Sequence, residues 1–495
     1  MSRQSRRDFL KTAAAAGIGA SFFIGGTKAS GRVVGANDRI RVAVAGINGR
    51  GLAHIGINKK PGGFASLKNV EVAALADPDS RLFDDRSKRV QDWFGYTPKC
   101  YQDVRRVLDD PTIDAITIAT PNHWHSLMTI WACQAGKHVY VEKPCSHNVF
   151  EGRKAVEAAR KYNRLVQHGS QQRSSQVRAD QMAALHAGKY GKLLVARGYC
   201  CKPRWSIGFK PTAAPPKELD FDLWLGPAAK QPYHENLVHY NWHWFWDTGN
   251  GDMGNQGIHE IDAARWGIKD ATLPQRIWSL GGRWVDGPDY RDQGETPNML
   301  LSVFEFGDVL MVFETRGLVQ RKGTDSKKVF PAKVGNDFYT TEGRIDTKAD
   351  RFYPRGGGRP VKVNFEGPRV MPGGMFGSFI NTLRDGDFSK CNVDILEGHL
   401  SSAVCHLGNI SYRLGKQVAY GQKPEHMGTN PQVHESFDTI RHNLAGAGFE
   451  LDDKTYQVGP VLEFDPKAER FVDNEAANAM LTRPARPPFA VPDDV

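Results

Sequence analysis

A chain of 495 residues exceeds one typical domain and can bury a large core. Its 40% hydrophobic and 24% charged residues exclude a disordered or fibrous protein, and no run approaches the roughly 18 apolar residues that span a bilayer, so no stable membrane anchor is expected. The formal charge of +10 excludes less until it is located: Arg3, Arg6, Arg7, Lys11 and Lys28 against Asp8 put much of the surplus before residue 30. The rest is spread without a basic block, which argues against a nucleic-acid partner. The seven cysteines form no CxxC pair and are odd in number, so buried free thiols are expected rather than a zinc site or a disulfide framework.

The first elements are an address. Ser5-Arg6-Arg7-Asp8-Phe9-Leu10-Lys11 matches a twin-arginine export signal, and a weakly apolar, Ala- and Gly-rich stretch follows from Thr12 to Gly26. Residues 1–36 are therefore read as signal peptide and linker. The expected partner is the twin-arginine machinery and the expected location is periplasmic or otherwise extracytoplasmic. That route carries folded proteins, which suits an enzyme that loads a cofactor before export.

Ile40 to Ala45 is a β-branched run that ends on Gly46-Ile47-Asn48-Gly49-Arg50-Gly51, with a helical segment after it. Strand, glycine-rich turn and helix together place backbone N–H groups where a pyrophosphate can sit. The fingerprint departs from its usual form at Asn48, which stands where a glycine is common, although Asn tolerates positive φ. The next strand, Val70 to Ala76, ends on Asp77, an acid placed to bind the adenosine ribose hydroxyls and to repel a 2′-phosphate. NAD is thus favoured over NADP, with Arg81 the residue able to soften the preference. Asp77 is also well suited to cap a helix. Strands over 114–119, 138–141 and 165–167 alternate with helices over 124–135 and 149–162, which implies a parallel, doubly wound sheet. Its carboxyl ends carry Thr120-Pro121-Asn122-His123 and Glu142-Lys143-Pro144.

At these residues the chain resembles the glucose–fructose oxidoreductase, inositol dehydrogenase and rhizopine-catabolism (Gfo/Idh/MocA) family. The matching motifs, in order, are the glycine turn, Ala76-Asp77, Thr120 to His125 and Glu142-Lys143-Pro144, followed by Gly169 to Ser174, Asp222 to Ala228 and Gly254 to Asp262. They span nearly everything from about 38 to 420. The resemblance implies that Lys143 stands beside the nicotinamide and that the Lys143–Pro144 bond is cis. A cation there would stabilise charge on the substrate oxygen and relay its proton. It also implies that His259 is the second catalytic group. The family's aspartate four residues earlier is Asn255 here, which can orient a hydroxyl but cannot act as a base. Gly46, Asn48, Gly49, Arg50, Gly51, Asp77, Thr120, Pro121, Asn122, His125, Glu142 and Lys143 form the expected cofactor site. Asp262 and Arg265 are expected to be a structural pair, and no metal site is expected from His123 and His125 or from His239 and His243.

From 169 the strands lengthen, over 194–199, 276–280, 299–306 and 310–314, which fits a second domain with an open, mostly antiparallel sheet. The division expected is a Rossmann domain over 37–168, an α+β substrate domain over 169–480 and a Pro-rich tail over 481–495. The aromatic density from Tyr240 to Asp247 suits the C–H face of a sugar ring, and Arg173, Trp205, His243 and Trp244 are the expected substrate contacts. The function expected is hydride transfer from a secondary alcohol of a sugar, polyol or glycoside to tightly held NAD, by a homo-oligomer. The alternative is a redox-neutral glycosidase or lyase that oxidises, eliminates and re-reduces with a retained cofactor. A non-catalytic sugar-binding protein is the third reading.

Overall fold

The computed structural model describes residues 39–285, 291–319 and 333–495. The twin-arginine segment and its linker, residues 1–36, lie outside the described residues. The first sheet is all parallel, in the order β3-β2-β1-β4-β5-β6. Its strands are β1 (Ile40–Ala45), β2 (Val70–Ala76), β3 (Lys99–Tyr101), β4 (Ala115–Ile118), β5 (His138–Val141) and β6 (Val166–His168). Strands covered on both faces read as continuous apolar runs, as β1 does from Val42, β2 from Val72 and β4 throughout, all of these residues being buried. The strand order reverses between β1 and β4, so the loops after these strands diverge and open a crevice. The edge strand β3 has three residues, too few to show a pattern in the sequence.

The second sheet is built from β7 (Leu193–Cys201), β8 (Arg276–Gly282), β9 (Met299–Phe306), β10 (Val309–Arg316), β11 (Lys333–Thr340), β12 (Gly343–Asp346), β13 (Arg351–Pro354), β14 (Val361–Lys362), β15 (Lys416–Ala419) and β16 (Thr455–Val458). Its order is β14-β13-β12-β11-β7-β10-β9-β8-β16-β15, with β17 (Leu462–Asp465) on β8 and β18 (Arg470–Phe471) on β17. Among the described residues only β7 and β10 pair in parallel within it. This is the mixed, mostly antiparallel sheet expected. Period-2 alternation divides its residues between two cores. Phe304, Met311 and Phe313 pack with the helices Ile258–Gly267 and Ile395–Arg413. Leu301, Val303 and Val312 pack with Val433, Phe437, Ile440 and Leu444 of the helix Pro431–Gly446, which covers the other face.

The core of the first sheet is not made by the first half of the chain alone. Phe379, Ile380 and Leu383 of the helix Gly374–Asp385 join Val42, Val44, Phe64 and Tyr140 in one cluster. The Pro-rich tail is packed rather than draped. Phe489 is buried with Ile116, Leu127 and Ile130, its ring edge-on to Trp124 at 5.5 Å. The change of sheet near residue 168 is therefore not a change of core.

Candidate functional site

A groove of about 290 Å³ opens beyond the carboxyl ends of β1, β2, β4 and β5. Gly46 (φ +78°) turns the chain there, where a Cβ would come within 2.6 Å of the Thr120 amide. A Cβ on Gly49 (φ +48°) would meet nothing within 4 Å, so the turn presents bare backbone to open space. Gly51 serves packing instead of lining the groove: its Cβ would stand 1.9 Å from the Gly46 carbonyl. Asn48 lines the groove while its Oδ1 accepts from Arg86 Nη2 at 3.2 Å.

Asp77 is buried at the end of β2. Its Oδ2 accepts from Ile47 N at 2.9 Å and its Oδ1 from Asp79 N at 3.0 Å, so one carboxylate ties the glycine turn to the acidic turn. Burial raises its pKa against the pull of these two amides. The capping role falls on Asp79, whose side chain accepts from Arg81 N at the short helical turn Ser80–Leu82.

The loops after β4 and β5 are cross-tied. His125 lies between the carbonyls of Pro144 (2.5 Å) and Thr120 (2.8 Å), and burial lowers its pKa. Thr120 Oγ1 is buried at the groove without a protein partner, and Asn122 Nδ2 donates to Asn250 Oδ1 at 3.0 Å. The Lys143–Pro144 peptide bond is cis, as the resemblance implies.

Glu142 is buried and accepts from Arg50 Nε (2.7 Å) and His54 Nε2 (3.0 Å). Burial alone would raise its pKa; Arg50, His54 and Lys143 outweigh that and hold it well below the usual carboxylate range. His54 is fully buried and touches Thr117 Oγ1 through Nδ1. Burial lowers its pKa, so the neutral ring donates from Nε2 and accepts at Nδ1. Sequence reasoning missed His54; its signal was a polar residue on the inner side of the helix Arg50–Ile55.

Lys143 Nζ donates to Asn255 O at 2.8 Å and lies 3.4 Å from Asn255 Oδ1. Burial lowers its pKa, with Glu142 opposing. Both residues line the groove, and the wall opposite the nucleotide turn is Leu223, Trp224, His239, Tyr240, Trp242 and His243. The ring of His243 stacks on Trp242 with centroids 3.6 Å apart, its Nδ1 is 2.6 Å from the Tyr240 carbonyl, and burial pushes its pKa to about 3.

Besides Gly51, four expected site residues do not line the groove. His259, at the start of the helix Ile258–Gly267, does not line the groove, although Lys143 and Glu142 act on its ring electrostatically. Burial, with Lys143 adding to it, pushes His259 to about 3, so it does not titrate near neutral pH. Arg173 is buried in an ion pair with Asp262 (3.0 Å), reaches Glu397 at 3.1 Å and stacks over Trp266. Trp205 donates from Nε1 to Val319 O and packs against the core under the helix Pro431–Gly446. Trp244 is buried beneath Arg204. Asp262 and Arg265 meet through Ser401, which donates to Asp262 at 2.7 Å and accepts from Arg265 at 3.0 Å. Among the described residues no group of three or more His, Cys, Asp or Glu is placed to hold a metal.

Comparison with known proteins bears on this geometry. Residues 40–170 match the Gfo/Idh/MocA oxidoreductase family's NAD-binding Rossmann fold, and residues 192–280 match the same family's C-terminal alpha/beta domain. The first segment is thus an NAD-binding Rossmann domain, similar to that of this family. The chain is 30% identical over 149 residues to a scyllo-inositol 2-dehydrogenase (NAD(+)) of Bacillus subtilis, covering 30% of this chain and 42% of that protein. It is 32% identical over 173 residues to a glycosyl hydrolase family 109 protein of Shewanella pealeana, covering 31% and 37% respectively. The matches therefore span about two fifths of these relatives' lengths. A solved levoglucosan dehydrogenase, in complex with NADH and levoglucosan, shares the fold with TM-score 0.51 and 18% identity over 74% of this chain and 95% of that one.

Proposed function

We propose that the chain is an NAD-dependent oxidoreductase acting on a secondary alcohol of a sugar, polyol or glycoside. The observation that carries the reading is the Lys143 amine on the groove wall, held by the two oxygens of Asn255. The groove fits the cofactor: a bare glycine turn, an unpartnered Thr120 hydroxyl and the Asp77 carboxylate suit pyrophosphate and ribose. A nicotinamide held there would supply the hydride acceptor for the alcohol carbon.

The proton is the chain's task. Lys143 has three N–H positions, of which Asn255 takes two, leaving one for the substrate oxygen. Burial lowers its pKa and so increases the neutral amine that can take the hydroxyl proton. His259, held near 3, stays neutral and leaves that proton to Lys143. Trp224, Trp242 and the His243 ring supply flat faces for the sugar.

A redox-neutral glycosidase is the second reading, favoured by the likeness to a family 109 glycosyl hydrolase and by the second-half wall over the groove. The twin-arginine motif Ser5 to Lys11 supports export of the folded enzyme. Incubating purified protein with a panel of sugars and glycosides, without added nucleotide, and reading products by mass separates the readings. An oxidised product supports the first and a cleaved, unoxidised one the second; no product from any member, with or without NAD, would sink both.

A further inference from the structure

Two residues after Asp77 stands a second buried acid, Asp79, which proton transfer at Lys143 does not use. Its Oδ1 accepts from Arg81 N (3.2 Å) and Nε (2.7 Å), and its Oδ2 accepts from Arg81 Nη2 (2.5 Å) and His239 Nε2 (2.8 Å). Burial would raise its pKa, but the bonds from Arg81 and His239 outweigh this and keep it ionised. The second half of the chain is stitched to this turn. Asp79 bridges Leu219, Ser80 N donates to Glu218 O at 3.1 Å, and Asp220 N donates to Pro78 O at 2.9 Å. Asp77, Pro78 and His239 line the groove, whereas Arg81 does not.

A 2′-phosphate on the adenosine ribose would enter beside Asp77, and the cation one turn away that could receive it is Arg81. We propose that Asp79 is a specificity-determining residue of the cofactor groove: by holding Arg81 in a two-point ion pair it keeps the guanidinium away from the ribose end, and through His239 it fixes the covering segment there. Asp77 is then left to face a free 2′-hydroxyl, and a dinucleotide carrying a 2′-phosphate finds no counter-charge. This rests on the reading of the groove as a nicotinamide dinucleotide site.

The test is calorimetric titration of NAD+ and NADP+ into the full chain freed of bound nucleotide. Asp79→Asn keeps the cap, since its Oδ1 still accepts from Arg81 N, but removes the charge and turns an amide toward the guanidinium. The wild type should prefer NAD+, and Asp79→Asn should bind NADP+ about tenfold more tightly than the wild type does. That gain should vanish in the Asp79→Asn/Arg81→Ala double variant, while Arg81→Ala alone should alter NAD+ binding less than about twofold. Asp79→Ser, which keeps a capping hydroxyl without charge, carries the same expectation if Asp79→Asn melts early. An unchanged NAD+/NADP+ ratio in both Asp79 variants, or a gain that survives loss of Arg81, would overturn the role of Asp79 alone. A wild type that binds neither dinucleotide would overturn the reading of the groove and this inference with it.

Discussion

Lys143 meets Asn255 twice, through the backbone oxygen at 2.8 Å and the side-chain oxygen at 3.4 Å. Asn255 lies within the π-helical turn Met253–Gly257, whose hydrogen-bond pattern differs from that of an α-helix. A lysine on the first sheet is thereby positioned by a backbone irregularity of the second domain.

Replacing that lysine isolates the proton step. Lys143→Ala should lower kcat by roughly two to four orders of magnitude, the scale of a positioned acid or base. NAD binding, measured by titration, should change little. A variant that keeps a tenth of the activity removes Lys143 from the chemistry.

Asn255→Asp puts a carboxylate against the same amine. An opposite charge favours the ammonium, so the pKa of Lys143 rises and the basic form needed to take the hydroxyl proton appears at higher pH. The limb of the pH–rate profile that reports Lys143 should move upward by about one unit or more. A profile identical to that of the wild type would show that the Asn255 side chain does not act on the amine.

Stability should fall on mild acidification, before most carboxylates titrate. Burial pushes His123, His138, His243, His259 and His406 to about 3 and His168 to about 4. An unfolded histidine titrates near 6.5, so between that value and 3–4 the unfolded chain binds more protons than the folded one. Each such histidine then removes up to about 1.4 kcal/mol per pH unit as pH falls. Glu142 acts lower: its folded pKa is depressed, so its contribution holds above the unfolded value near 4.3 and is lost below it. Urea unfolding between pH 7 and 5 should show a falling midpoint, and a flat response would contradict the buried, neutral state of these rings.

The protein should carry its nicotinamide when purified. Leu223, Trp224, His239 and Tyr240 roof the groove, and the roof is tied down through His239 to Asp79 and through the Trp224 carbonyl to His123. Retention through export would need binding near −12 kcal/mol, which is about nanomolar. Denaturing the exported fraction and weighing the released nucleotide should give close to one NAD(H) per chain. Empty protein that binds NAD only at millimolar strength would contradict retention.

The first sheet was legible because parallel strands buried on both faces leave continuous apolar runs, and because Gly46 and Asp77 sit at strand ends where register fixes them. The groove's Rossmann side followed from that. Its other wall did not. A run of aromatics does not say which faces point inward, so Trp224 and Trp242 reach the groove while Trp205 and Trp244 do not. Arg173 was misplaced because its partner Asp262 lies 89 residues away in sequence.

The helix Gly374–Asp385 also dictates when the nucleotide groove can mature. Arg50, at the start of the helix after the glycine turn, contacts Met375 across 325 residues, and Phe379 fills the core beneath β1. At ~5–20 residues per second, synthesis of that intervening chain takes on the order of tens of seconds. Through that interval the strand that ends on Gly46 stands on an incomplete floor. A dinucleotide would then meet a completed groove only after residues 374–385 are made, and the first 170 residues expressed alone would expose the apolar surface that Phe376, Phe379 and Ile380 cover.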